Sequence, residues 1–113
     1  MGYPFWPQCV EHTVRRAAAT AQIPIIVTEN GIAATDDTRR IAYLDEALRG
    51  LHRCISDGLD VRGYYQWSLL DNFEWSLGYA MQFGIVEVDR STFVRTPKPS
   101  ALWYGEIAKN NAL

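Results

Sequence analysis

Two stretches of the chain carry side chains able to do chemistry. The first centres on Glu29, which follows the β-branched run Ile25-Ile26-Val27-Thr28 and precedes Asn30-Gly31. Parallel α/β folds place their reactive groups at the carboxyl ends of strands, where loops begin. A carboxylate there is a candidate nucleophile or base; the plainer alternative is a glutamate that caps the loop or faces solvent. The second stretch is Trp67-Ser68-Leu69-Leu70-Asp71-Asn72-Phe73-Glu74-Trp75, at the end of another expected strand. Two indoles flank an acidic, amide-bearing loop. A sugar ring offers apolar C–H faces, on which indoles stack, and a rim of hydroxyls, which donate to carboxylates. Ordinary packing of aromatics beneath a loop gives the same composition. Clusters at the ends of two neighbouring parallel strands would face one mouth, and this favours the chemical reading of both.

The elements that must position these residues follow from periodicity. Val10, Val14, Ala17, Ala18 and Ala21 recur at helical spacing, with Pro7 suited to the first turn and Pro24 blocking continuation after about Gln22. Ile25 to Thr28 is apolar on both faces, as in a parallel strand covered on both sides. Thr35-Asp36-Asp37 offers N-caps to an amphipathic helix whose stripe is Ile41, Leu44, Leu48, Leu51 and Ile55, ended by Gly58. A second strand is expected at about Val61 to Leu69, and an acidic aromatic loop from Leu70 to Met81. Phe83 to Asp89 reads as a strand that pairs with Thr92 to Arg95, and Ala101 to Lys109 as a last helix. Helix, strand, helix, strand, hairpin, helix implies an α/β unit with parallel pairing. No linker or repeat divides residues 1–113, which read as a single unit. Two main strands leave both sheet edges open, which points to a part of something larger.

Composition bounds the partners. The chain has 113 residues and a net charge of −2, with 48% hydrophobic and 21% charged residues. These shares are ordinary for a globular domain, and no basic surface invites nucleic acid or anionic lipid. The length excludes a complete (β/α)₈ barrel, which takes about 250 residues. No apolar run approaches a membrane span and the first ten residues show no signal-peptide pattern, so a cytoplasmic location is expected. Cys9 and Cys54 lie far apart and read as reduced structural thiols. His12 and His52 lack a metal-ligand spacing, so no metal or cofactor is expected. Ser68 has no G-x-S-x-G context, and no glycine-rich phosphate loop is present.

Ile26-Val27-Thr28-Glu29-Asn30-Gly31 resembles the (I/V)-T-E-N-G nucleophile motif of family 1 glycoside hydrolases, the β-glucosidases and their relatives. Asp60 to Trp75 is similar to that family's D-V-R-G-Y-x-x-W-S-L-L-D-N-F-E-W segment. Gly78-Tyr79, Phe83-Gly84-Ile85-Val86, Val88-Asp89, Arg95-Thr96-Pro97-Lys98, Ser100-Ala101 and Trp103-Tyr104 continue the likeness in order. T-E-N-G alone is a weak signal; the long second motif at the right distance is a specific one.

The resemblance implies the C-terminal quarter to third of a (β/α)₈ TIM barrel, strands seven and eight with their flanking helices. It implies Glu29 as catalytic nucleophile, Glu74 and Trp75 as ligands of the glycone hydroxyls, Trp67 as the platform between glycone and aglycone, and Phe83 as a wall of the glycone pocket. The substrate implied is a β-glucoside or a related oligosaccharide or aryl glycoside. Phosphate-specific relatives usually carry Ser and Lys where this chain has Glu74 and the Met81 region, so an unphosphorylated sugar is favoured. Met81-Gln82 replaces a more basic pair, and Gln66 stands where a smaller or apolar residue is common. The family's acid/base motif, T-x-N-E-P, is absent from this sequence. The expectation is therefore a retaining β-glycosidase segment inactive alone, needing the remainder of its barrel or associating through its exposed edges. The alternatives are a natural barrel-completing subunit and a non-catalytic sugar-binding module.

Overall fold

A computed structural model describes residues 4–113. In chain order the elements are α1 (Cys9–Ala21), β1 (Ile25–Asn30), α2 (Asp37–Ser56), β2 (Val61–Gln66), β3 (Val86–Val88), β4 (Arg95–Pro97) and α3 (Pro99–Asn110). A 3₁₀ turn at Trp75–Leu77 interrupts the aromatic loop. α1 ends at Gln22, which adopts a left-handed conformation and donates its N–H to the Ala18 carbonyl. The Asp36 carboxylate caps α2 by accepting from the Thr38 N–H at 2.9 Å. Gly58, at φ +89°, ends α2 where a side chain would be strained.

β1 and β2 pair in parallel, with α2 as the crossover between them. One face of this sheet is covered. Val10 and Val14 of α1 and Ala47, Leu51 and Cys54 of α2 form the core, packed against Ile25, Val27, Val61 and Tyr64. The buried stripe of α2 differs from the expected one. It runs through Tyr43, Leu44, Ala47, Leu51 and Cys54, and leaves Ile55 exposed. The helix is rotated toward α1, where Gly50 lets the Glu11 side chain approach to within 3.0 Å of where a β-carbon would stand.

The opposite face of the sheet is open, contrary to the expectation of a strand covered on both sides. Ile26 is 53% exposed and Tyr65 is 63% exposed, because within the described residues all three helices lie elsewhere. The second strand also stops short of Leu69. After Gln66 the backbone bonds pass to the segment 83–86: Ser68 N–H donates to Phe83, Ile85 N–H to Ser68 and Val86 N–H to Leu69.

β3 and β4 form the expected hairpin, displaced by a few residues. Pairing runs from Val88 opposite Arg95 to Val86 opposite Pro97. Thr92 belongs to the turn instead, since the Asp89 carboxylate accepts the backbone N–H groups of Ser91 and Thr92. α3 starts with Pro99 in its first turn. The Ser100 N–H and hydroxyl both donate to the Asp37 carboxylate, at 2.7 and 2.8 Å, and so tie α3 to the start of α2.

Candidate active site

Glu29 lies one residue before the end of β1 and is exposed. Its direction is set by a register shift. Val27 pairs with Tyr64 and Asn30 with Gln66, so three steps along β1 match two along β2. Such a bulge reverses the alternation of side chains beyond it. Ile25 and Val27 pack toward the helices; unbroken alternation would send Glu29 the same way. With the bulge, Glu29 is exposed and Asn30 turns to the helix side. There the Asn30 amide donates to the Tyr43 hydroxyl at 3.1 Å and accepts from the Tyr64 hydroxyl at 2.8 Å. Burial pushes the pKa of both phenols up, so both keep their protons near neutrality.

Trp67 meets Glu29's neighbour directly. Its backbone N–H donates to the Asn30 carbonyl at 2.7 Å, and the residue is 39% exposed. A β-carbon on Gly31 would fall 1.8 Å from the Trp67 carbonyl oxygen, so only glycine permits this approach. The Gln66 amide donates to that same carbonyl at 2.7 Å and to Phe83 O at 3.3 Å, which fastens the strand end to the segment beyond.

Glu74 and Trp75 are held by their own loop rather than by Glu29. Glu74 N–H donates to Gly78 O at 2.8 Å, its carbonyl accepts from Leu77 N–H at 2.7 Å, and Trp75 is 85% exposed. The root of this loop is a nearly buried ion pair, Lys98 to Asp71 at 2.7 Å. Lys98 also donates to the Gly84 carbonyl, and Gly84 N–H donates to Asp71. A β-carbon on Gly84 would come within 2.2 Å of the Asp71 nitrogen. Arg90 donates to the Asp71 carbonyl while its guanidinium lies 4.1 Å from the Tyr79 ring centre. Tyr79 in turn meets Phe73 edge to face at 5.2 Å.

Phe83 stands apart from the other four candidates. It is only 8% exposed. It lines a cavity of about 640 Å³ with Trp6, Gly31 to Asp36, Arg39 and Tyr43, in which Glu29, Trp67, Glu74 and Trp75 have no part. Arg40, fully buried, closes this region by donating to the Ala34 and Gln82 carbonyls, both at 2.6 Å, and to Asp37. Among the described residues no group of three or more His, Cys, Asp or Glu is arranged to hold a metal ion. Nor is any described helix long and apolar enough to cross a membrane.

The sequence motifs drew attention to Glu29, Trp67, Glu74 and Trp75, and the first two share the carboxyl end of the parallel pair. The roles of Asn30, Tyr43 and Lys98 as supports were not legible. They depend on contacts between residues distant in sequence, and the one local signal was a polar Asn at the end of an apolar strand.

The chain matches the model of the family described as "Glycosyl hydrolase family 1" over residues 1–113. It is 48% identical to Beta-glucosidase A of Acetivibrio thermocellus over 96 residues, which are 77% of this chain and 21% of that protein. It is 40% identical to a Beta-galactosidase of Sulfolobus acidocaldarius over 112 residues, 99% of this chain and 23% of the relative. Among solved structures, the beta-glucosidase from Thermotoga maritima in complex with glucoimidazole superposes with a TM-score of 0.95 at 38% identity. It is matched over all of this chain and 28% of its own. A beta-glycosidase from Pyrococcus horikoshii gives 0.92 at 45% identity, over 96% and 26%. The chain thus spans about a quarter of these relatives' length, and its fold is a portion of the TIM barrel of such glycosidases. With the match running from the first residue to the last, the chain belongs to glycosyl hydrolase family 1.

Proposed function

We propose that this chain is the part of a retaining β-glycosidase that supplies the nucleophile, Glu29, and part of the pocket for the sugar being transferred. It corresponds on this reading to strands seven and eight of the barrel, with their helices. The observation that carries the reading is the bulge in β1, which turns Glu29 out of the helix layer at the same strand ends that present Trp67. The printed names of the relatives, β-glucosidase and β-galactosidase, support a β-linked hexoside as substrate.

In the reaction the Glu29 carboxylate attacks the anomeric carbon and the bond to the aglycone oxygen breaks. A carboxylic acid about 5–5.5 Å away protonates the departing oxygen. That acid lies outside these residues and then removes a proton from the water that cleaves the glycosyl ester. Glu74 accepts hydrogen bonds from glycone hydroxyls and the Trp75 indole N–H donates beside it. Trp67 provides a flat apolar floor, and Phe83, whose side chain lines the separate cavity, supports it through its backbone carbonyl, which accepts from the Ser68 N–H and the Gln66 amide. A carboxylate at position 74 repels a phosphorylated sugar, which restricts the substrate to neutral glycones.

The test uses a complete barrel carrying this segment. A 2-deoxy-2-fluoro glycoside forms a slowly hydrolysed ester with the nucleophile, and mass spectrometry of the digest locates it. The label is expected on Glu29, and Glu29→Gln is expected to lower turnover by several orders of magnitude because an amide cannot form the ester. A label on any other residue overturns the assignment.

A further inference from the structure

We infer that Asn30 is a positioning residue: its side-chain amide, clamped between Tyr43 and Tyr64, holds the β1 bulge that turns Glu29 out of the helix layer. This rests on Glu29 being the nucleophile.

The strand has two available registers at this point. In the regular one, alternation continues from Ile25 and Val27, and residue 29 enters the layer packed by Val10, Val14 and Leu51. In the observed one, an extra residue lies between Val27 and Asn30 relative to β2, and residue 30 takes the helix side instead. Burying an unpaired carboxylate is costly, which disfavours the regular register. That cost alone does not place Glu29 within a fraction of an ångström. The Asn30 amide does, because both of its ends are used with matching polarity. Its nitrogen donates to Tyr43 on α2 and its oxygen accepts from Tyr64 on β2. Its backbone carbonyl accepts from Trp67 N–H as a third anchor. The residue next to Glu29 is therefore fixed to a helix, to the neighbouring strand and to the start of the sugar-facing loop. Asp lacks the donor, Ala lacks both groups, and Gln is one methylene too long for the same two oxygens. Tyr43 is itself buried, and its hydroxyl lies 3.8 Å from the Cys9 sulfur on α1, so the clamp extends into both helices.

Removing the clamp leaves Glu29 its chemistry and takes away its alignment. Misplacement of a reacting group by about 1 Å costs on the order of 100-fold in rate. The decisive measurement separates alignment from folding. In the complete barrel, Asn30→Ala and Tyr43→Phe are compared with the unsubstituted enzyme for the maximal rate of labelling by a fluoro-glycoside. The affinity for a competitive sugar inhibitor and the melting temperature are measured alongside. A positioning role predicts that the maximal labelling rate per folded site falls about 10- to 100-fold in Asn30→Ala and less in Tyr43→Phe, with inhibitor affinity little changed. A role in folding alone predicts a lower melting temperature and fewer active sites, each labelled at the original rate, and that result overturns the proposal. Tyr43→Phe removes one oxygen and keeps the ring, so it carries the test if Asn30→Ala does not fold. Labelling of the unsubstituted enzyme at a residue other than Glu29 would instead refute the nucleophile assignment on which the inference stands.

Discussion

Glu29 and Glu74 are the two carboxylates of the proposed site, and on that reading their surroundings suit them to different tasks. Glu29 ends a strand pinned through its neighbour Asn30 to α2 and β2. Glu74 caps a short turn whose support is local. A carboxylate gripping hydroxyls of a ring that flattens toward an oxocarbenium ion forms stronger hydrogen bonds in the transition state than in the ground state. Glu74→Ala in a complete barrel should therefore lower kcat as well as raise KM. A rise in KM alone would show that Glu74 holds substrate and transition state equally. At this scale local sequence specifies position without direction. Glu29 at a strand end was legible from Ile25-Ile26-Val27-Thr28, but strict alternation points it at the helices. The bulge that turns it depends on Tyr43 and Tyr64, residues that local sequence does not bring together.

Between elements, the joint of α1 and α2 is the strongest electrostatic feature. Glu11 bonds Arg15 on its own helix at 2.7 Å and Arg53 on α2 at 2.6 Å, and Arg15 reaches Asp57 at 2.7 Å. The Arg53 and Arg15 guanidiniums hold the Glu11 carboxyl down to about 2, from an ordinary 4.5. A carboxylate with a depressed folded pKa stabilises the fold fully above its unfolded pKa, and that contribution is lost as pH falls through the folded value. Glu11→Gln should therefore lower the melting temperature at pH 7. The gap to the unsubstituted protein should close between about pH 4.5 and pH 2. A gap unchanged across that window would mean that the three side chains act by packing alone. This joint also accounts for the difference between the expected and the observed buried stripe of α2. The Leu44 and Leu51 stripe was visible, but Gly50 and the ion pairs rotate α2 toward α1 and expel Ile55. The hairpin slipped for a comparable reason: the Asp89 turn consumes Thr92, so pairing waits until Arg95.

At the scale of the whole molecule, the open sheet face decides what the 113 residues do alone. Ile26 and Tyr65 on that face are exposed, as are Leu69, Phe73 and Trp75 beyond it. An apolar surface of this kind next to two strand edges that are unpaired among the described residues drives association. The missing partner groups matter as much for chemistry. A positioned general acid contributes about 10²–10⁴-fold, and no T-x-N-E-P segment exists here to provide one. Asp71 is not free to substitute, because Lys98 and the Gly84 N–H already hold both of its oxygens. A glycone in this half-pocket would also lack walls on the open side, so Glu29 would seldom meet the anomeric carbon at attack distance. The purified 113-residue chain is therefore expected to hydrolyse no nitrophenyl β-glucoside measurably. It should elute from a size-exclusion column well ahead of a 12.8 kDa monomer. Mixing it with the rest of a family 1 barrel should restore turnover if the open face is a docking surface for those strands. A soluble monomer whose hydrolysis disappears in Glu29→Gln would contradict this account. It would require an acid from within the chain, and since Asp71 is bound to Lys98, Glu74 on its exposed turn would be the residue to replace next.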